Sequence, residues 1–296
     1  MKAILKMAGL LLLSGVIATP ACSGATNPRA NPGSDLNGPP RSIALTIYRN
    51  FLVVAEGQFG PVLQHQNFVL DTGTAPSIIN TSVVNQMGLA SVPSTFRAAG
   101  KPVAGRAAVI PEFELGPIRI VSLPVYVQDL SPLERDLGVP IAGIIGLDVL
   151  SHSSFRLDYD KREIEFGGVM REGISVPFDA RACIAVADVD IDGKQTHMLV
   201  DTGSDRVIVF GGNFSEAVWP VLRNTSEFGS SLVDPHMPVQ VFSAADIVLG
   251  SRHFTADRAY FLPATADPAF DGLLGVRALG FRALSYDQSS ATLYLQ

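Results

Sequence analysis

Two short stretches decide the reading of this chain: Phe68-Val69-Leu70-Asp71-Thr72-Gly73-Thr74 and Met198-Leu199-Val200-Asp201-Thr202-Gly203-Ser204. Each sets Asp-Thr-Gly directly after three apolar residues. Each then runs into a second apolar segment, Ser77-Ile78-Ile79 in the first copy and Val207-Ile208-Val209 in the second. A carboxylate at the end of a buried strand is costly unless donors offset its lost hydration. Threonine can hydrogen-bond across a tight turn, and glycine lets backbone come close or take positive φ. Asp-Thr-Gly therefore suits a carboxylate held rigidly at a loop tip. Two such tips brought to about 3 Å cannot both ionise readily and would share one proton. One carboxyl then serves as general base towards a water while the other serves as acid.

The two stretches open a longer repeat. Ile141-Ala142-Gly143-Ile144-Ile145-Gly146 matches Phe270-Asp271-Gly272-Leu273-Leu274-Gly275, and Phe155-Arg156-Leu157-Asp158-Tyr159-Asp160 matches Arg282-Ala283-Leu284-Ser285-Tyr286-Asp287. Gly146 stands 75 positions after Asp71, and Gly275 stands 74 after Asp201. A period near 130 residues is too long for a solenoid. It describes two copies of one small domain, residues 41–172 and 173–296, joined near Gly173 to Phe178. Runs rich in β-branched residues, Ile43 to Val54 and Ile184 to Ile191, read as strands. Short helices are expected at Ser82 to Met87 and just after Gly146 and Gly275.

The chain has 296 residues, 47% hydrophobic and 17% charged, with 27 Gly and 20 Pro. That supports a large core of strands and tight turns. The net charge of −6, with no Lys/Arg-rich run, excludes a nucleic-acid partner. The five histidines show no metal-ligand spacing, and no serine sits in a nucleophile-elbow pattern. No metal and no cofactor is expected. Asp148 is read as a local cap or pair, Asp158 and Asp160 as surface pairs, and Trp219 as core or cleft wall.

The N-terminus reads as an export signal. Lys2 and Lys6 flank an apolar run, Met7 to Ala18, too short to span a bilayer comfortably. Ala18-Thr19-Pro20-Ala21-Cys22 follows. Residues 1–21 are taken as signal peptide; the cysteine position resembles a bacterial lipoprotein processing site, which implies a mature chain beginning at lipidated Cys22, and plain cleavage near Ala21 is the other reading. Residues 22–40, rich in Pro, Gly, Asn and Ser, read as a flexible tether. The expected location is outside the cytoplasm, in a bacterial cell envelope or periplasm, lipid-anchored or secreted. Cys183 would stand alone if Cys22 is lipidated or removed, and is read as a small buried hydrophobe.

The repeated apolar-Asp-Thr-Gly, followed about 75 residues on by two apolar residues and Gly, resembles the aspartic peptidase superfamily. It is most similar to bacterial retropepsin-like members with tandem lobes. The resemblance implies an all-β fold of two similar β-barrel lobes with an active-site cleft between them, formed by a monomer because both copies share one chain. It makes Asp71 and Asp201 the catalytic pair of an endopeptidase acting on peptide or protein. Thr72 and Thr202 would interlock the two loops, Gly73 and Gly203 would admit substrate backbone, and Thr74 and Ser204 would bond the outer carboxylate oxygens. Asp205 is implied as a substrate-contacting residue, paired with Arg277. Ala75 stands at its counterpart, so the site should be asymmetric. Hairpin flaps are expected around Arg97-Ala98-Ala99-Gly100-Lys101 and Glu227-Phe228-Gly229-Ser230-Ser231, with Gly100 and Gly229 near substrate. Neither has the Tyr of pepsin-like flaps, which leaves a second reading: a weakly active or inert two-lobed peptide-binding module.

Overall fold

The computed structural model describes residues 10–11, 41–48, 52–98, 101–214, 227–231, 237–263 and 265–296. The expected cleavage site, Cys22, the tether, Gly100 and Trp219 lie outside them. Strands dominate, as the sequence predicts.

The first lobe is an eight-stranded sheet, closed on itself where Gln58 of Leu52–Phe59 pairs with Glu114 of Lys101–Leu115. Leu63–Leu70 ends at Asp71 and is fully buried over its last three residues. Those residues lie parallel to Gly143–Ile145. Gly143 and Ile144 also pair, antiparallel, with Ile79 and Ile78. The apolar-apolar-Gly segment is thus wedged between the strand entering the Asp loop and the strand leaving it. Both faces of such a strand meet protein, so its side chains are apolar without alternation.

The second lobe repeats this plan. Gly272–Gly275 lies parallel to Met198–Asp201 and antiparallel to Val207–Val209. The lobe closes where Val189 to Ile191 pair with Ile247 to Leu249. The expected helix after Gly146 is Leu147–Leu150, and its counterpart after Gly275 is a single 3-10 turn, Val276–Leu279. Thr81–Gln86 forms the other expected helix, and Ser131–Leu137 adds one the sequence reading did not place.

The repeated tails do what local sequence could not reveal: they join the lobes. Phe155–Asp158 of the first copy pairs antiparallel with Ala283–Tyr286 of the second. Glu163–Phe166 and then Arg41–Ala44 extend this sheet on one side; Thr292–Leu295 and then Ile174–Asp179 extend it on the other. The result is a six-stranded, two-fold-like sheet shared by both copies. Two expectations change here. The stretch around Gly173 to Phe178 is a strand of the shared sheet rather than a simple joint. The run from Ile43 to Val54 is broken, because Arg41–Ala44 serves the shared sheet while Thr46–Tyr48 turns into the first barrel against Leu52–Val54. Leu45, buried between them, donates its N–H to Arg162 O at 2.8 Å.

Asp158 is a buried residue of the shared sheet, with Arg156 at 2.5 Å, rather than a surface pair. Arg282 of the second copy meets Asp160 of the first at 2.5 Å. Cys183 is buried as expected, but it is disulfide-bonded and does not stand as a lone thiol. The sequence holds one other cysteine, Cys22. Alkylation followed by peptide mapping checks the bridge: the Cys183 peptide should take label only after reduction. Label on Cys183 in the unreduced native protein would contradict it.

Candidate active site at the lobe interface

The two Asp-Thr-Gly loops meet across the interface and hold each other. Thr72 Oγ1 donates to Val200 O at 2.9 Å, and Thr202 Oγ1 donates to Leu70 O at 3.0 Å. In return, Thr72 N donates to Thr202 Oγ1 at 3.0 Å and Thr202 N to Thr72 Oγ1 at 3.1 Å. Both threonines are 1% exposed. Each hydroxyl donates once and accepts once across the interface. Buried hydrogen bonds of this kind contribute about 0.5–1.5 kcal/mol each, and an unpaired partner would cost more.

This lock sets Asp71 and Asp201 side by side. They are 2% and 0% exposed, and their carboxyls hydrogen-bond to each other. Contact is close enough to demand glycine: a Cβ on Gly203 would lie 2.5 Å from Asp71 Cγ. Behind the first loop, a Cβ on Gly146 would lie 1.9 Å from Thr74 O. The apolar-apolar-Gly segment therefore braces the Asp loop by direct backbone contact.

The two carboxyls differ in what surrounds them. Asp71 accepts from Gly73 N at 2.8 Å and from Thr74 Oγ1 at 2.7 Å. Asp201 accepts from Gly203 N at 2.7 Å. Ser204, the counterpart of Thr74, turns away and donates to Arg206 O at 3.1 Å. Asp201 Oδ2 is left buried with no donor from the described residues. Burial pushes both carboxyls above the usual carboxylate range. For Asp71 the bond from Asp201, then those from Thr74 and Gly73, oppose the rise. Asp201 is pushed well above that range, first by burial and then by the charge of Asp71, with Asp205 adding a smaller push. Two buried carboxyls this close, each raised above the ordinary range, favour holding one proton between them.

Around the pair, the copies diverge. Asp148 is buried and accepts from Ser77 N at 2.8 Å and Ser77 Oγ at 2.7 Å, while Ser77 Oγ accepts from Gly146 N. It clamps the first loop's exit strand to its brace, a local role. The counterparts of Ser77 and Asp148 are Val207 and Arg277. The Arg277 guanidinium lies 5.0 Å from the Tyr159 ring centre. Tyr159 is buried, its hydroxyl has no hydrogen-bond partner among the described residues, and burial, with smaller pushes from Asp201 and Asp71, raises its phenol well above the ordinary value. Asp205 forms an ion pair with its neighbour Arg206 at 2.9 Å. Tyr159 was not singled out in the sequence, although its place in the repeated tail, opposite Tyr286, was visible.

Of the flap segments, Arg97 and Ala98 end one arm of a hairpin, Ser91–Ala98 paired with Lys101–Leu115. Glu227–Ser231 is itself an arm, with Gly229 paired to Met237. No group of acidic residues, His or Cys able to hold a metal occurs among the described residues.

A closed, all-β, two-lobed body with two Asp-Thr-Gly loops locked at the seam defines the aspartic peptidase fold. Residues 56–149, most of the first lobe, match the family model described as Aspartyl protease. Over those residues the chain is similar to the aspartic peptidase superfamily, retropepsin-like, and its two barrel-like lobes fit that fold. No curated protein matches it.

Linkage gives the sign of the pH effect on stability. A carboxyl whose folded pKa is raised above 3.8 binds its proton more tightly when folded. Its contribution to stability is fully present below the unfolded pKa and is lost as pH rises through the folded one. Replacing Asp201 by Asn removes that loss. Urea unfolding from about pH 4 to pH 7 should show Asp201→Asn gaining stability on the native protein as pH rises; parallel curves would contradict the raised carboxyl.

Proposed function

We propose that this protein is an aspartic endopeptidase that hydrolyses extended peptides in the cleft between its lobes. The observation that carries the reading is the buried, mutually hydrogen-bonded pair Asp71 and Asp201, with unequal donors on the two carboxyls. Asp71, the better supplied with donors, is the ionised member; Asp201 holds the shared proton.

Hydrolysis follows from that division. A water between the carboxyls gives a proton to Asp71 as its oxygen bonds to the peptide carbonyl carbon. Asp201 gives its proton to the carbonyl oxygen, so a neutral tetrahedral diol forms. Asp71 then passes its new proton to the leaving nitrogen, one diol hydroxyl returns a proton to Asp201, and the C–N bond breaks. The products are a carboxylic acid and an amine, with no covalent acyl-enzyme. Each step needs one carboxyl protonated and one not, so the rate falls as pH rises and the shared proton is lost.

A single chain supplies both halves of the site, so we propose a working monomer. We also place it outside the cytoplasm. Supporting this are the charged, apolar and small-residue succession of residues 1–21 and the disulfide at Cys183, a bond that persists in oxidising compartments. A sulfur in a disulfide cannot also carry a lipid thioether. An intrachain Cys22–Cys183 bridge and lipidation at Cys22 therefore exclude each other.

Digestion of a peptide library by the purified protein, from acidic to neutral pH, tests the reading. Cleavage should be inhibited by a peptide whose statine hydroxyl mimics the tetrahedral intermediate. Asp71→Asn and Asp201→Asn should each lower the rate by about a hundredfold or more. Unchanged cleavage in either variant would defeat it, and silence at every pH with peptide binding retained would replace it by a binding module.

A further inference from the structure

The two brace glycines sit alike but are hydrogen-bonded differently. A Cβ on Gly146 would lie 1.9 Å from Thr74 O, and one on Gly275 would lie 2.5 Å from Ser204 O. Each glycine thus lies against the residue that follows Asp-Thr-Gly in its own lobe. In the second lobe Gly275 N donates to Arg206 O at 3.0 Å, and Ser204 Oγ donates to the same carbonyl at 3.1 Å. That carbonyl draws the serine hydroxyl away from Asp201. In the first lobe Gly146 N donates instead to Ser77 Oγ at 3.0 Å. Ser77 Oγ donates in turn to Asp148 Oδ1 at 2.7 Å, and Ser77 N donates to Asp148 Oδ2 at 2.8 Å. The Thr74 hydroxyl serves Asp71 Oδ2, at 2.7 Å.

The second lobe lacks the side chains to copy this arrangement. Val207 stands where Ser77 does, and Arg277 where Asp148 does. Valine offers no acceptor, so the glycine N–H turns to the backbone carbonyl one residue earlier, that of Arg206. Ser77 and Asp148 are 0% and 4% exposed. An unpaired donor or acceptor there would be costly, and a fully satisfied set in a dry interior fixes a single arrangement.

We propose that Ser77 and Asp148 are positioning residues for the dyad: by taking the Gly146 N–H they leave the Thr74 hydroxyl on Asp71, and so keep the two carboxyls unequal. Both act through Thr74. The consequence for hydrolysis rests on the peptidase reading; the positioning itself does not. A hydroxyl that donates to Asp71 favours its ionised form, so loss of that bond raises the pH at which Asp71 takes up a proton. Of the other titratable groups, Asp205 acts on Asp201, Tyr159 lies within reach of both dyad charges, and His152 acts on Asp148. Ser77→Ala leaves every one of them in place.

Carbon NMR of the full chain with labelled aspartate side chains reads the lower of the two apparent titrations of the pair, with no peptide needed. Ser77→Ala should move it up by about one pH unit, roughly what one hydrogen bond to a charged group contributes. Thr74→Val should move it by a similar amount, and Ser77→Ala added to Thr74→Val should move it no further. Asp148→Asn separates positioning from charge. Loss of a nearby negative charge alone would move the titration down, whereas a freed Thr74 moves it up, so an upward shift is expected. The proposal is overturned if Ser77→Ala loses stability but titrates like the native protein, or if its shift persists in the Thr74→Val background. Should Ser77→Ala not fold, Asp148→Asn decides, and no shift or a downward one overturns the proposal. If peptides are cleaved, the acid limb of kcat/KM should move with the NMR titration. If none is cleaved, the peptidase reading fails while the titrations still decide the positioning.

Discussion

The structure turns on four hydrogen bonds between two threonines and the chain segments they face across the lobe seam. Thr72 and Thr202 each donate to the other lobe's backbone and accept from it. This exchange holds two buried carboxyls side by side against the lost hydration that opposes burying them. The lock operates in a dry interior where an unmade bond is expensive, so it is both rigid and hard to replace. The shared six-stranded sheet supports it at longer range, by fixing the angle at which the two barrels meet.

Symmetry builds the site and asymmetry puts it to work. The two Asp loops enter, turn and are braced in the same way. Small departures then separate them: Thr74 serves Asp71 while Ser204 turns to Arg206, and Ser77–Asp148 in one lobe faces Val207 and Arg277 in the other. A perfectly symmetric pair would place the proton on either carboxyl equally. Unequal donors bias it towards Asp201, and in the proposed mechanism this divides acid from base before any substrate arrives.

Much of this was legible in the sequence because backbone constraints write themselves locally. A buried strand ending in Asp-Thr-Gly, and an apolar pair closed by glycine, leave little choice of residue, so both copies and both Asp loops could be found by spacing. Ile184–Ile191 is a strand over the predicted residues. The shared sheet was not legible, because three of its five pairings join residues more than a hundred positions apart with no local mark of the partner. Nor was the direction of Ser204, a rotamer choice made by its surroundings. The state of Cys183 escaped because a lone cysteine in an apolar run reads the same whether bonded or free. Arg97 was noticed only as part of a flap, and its ion partner Asp267 carries no motif.

The central claim is that one proton serves both aspartates. Carbon NMR of the protein with labelled aspartate side chains, assigned through Asp71→Asn and Asp201→Asn, reads it directly. The account predicts that the Asp201 carboxyl stays protonated well above 3.8, the ordinary aspartate value, and that each carboxyl responds to the ionisation of the other. Two carboxyls titrating independently near 3.8 would contradict it.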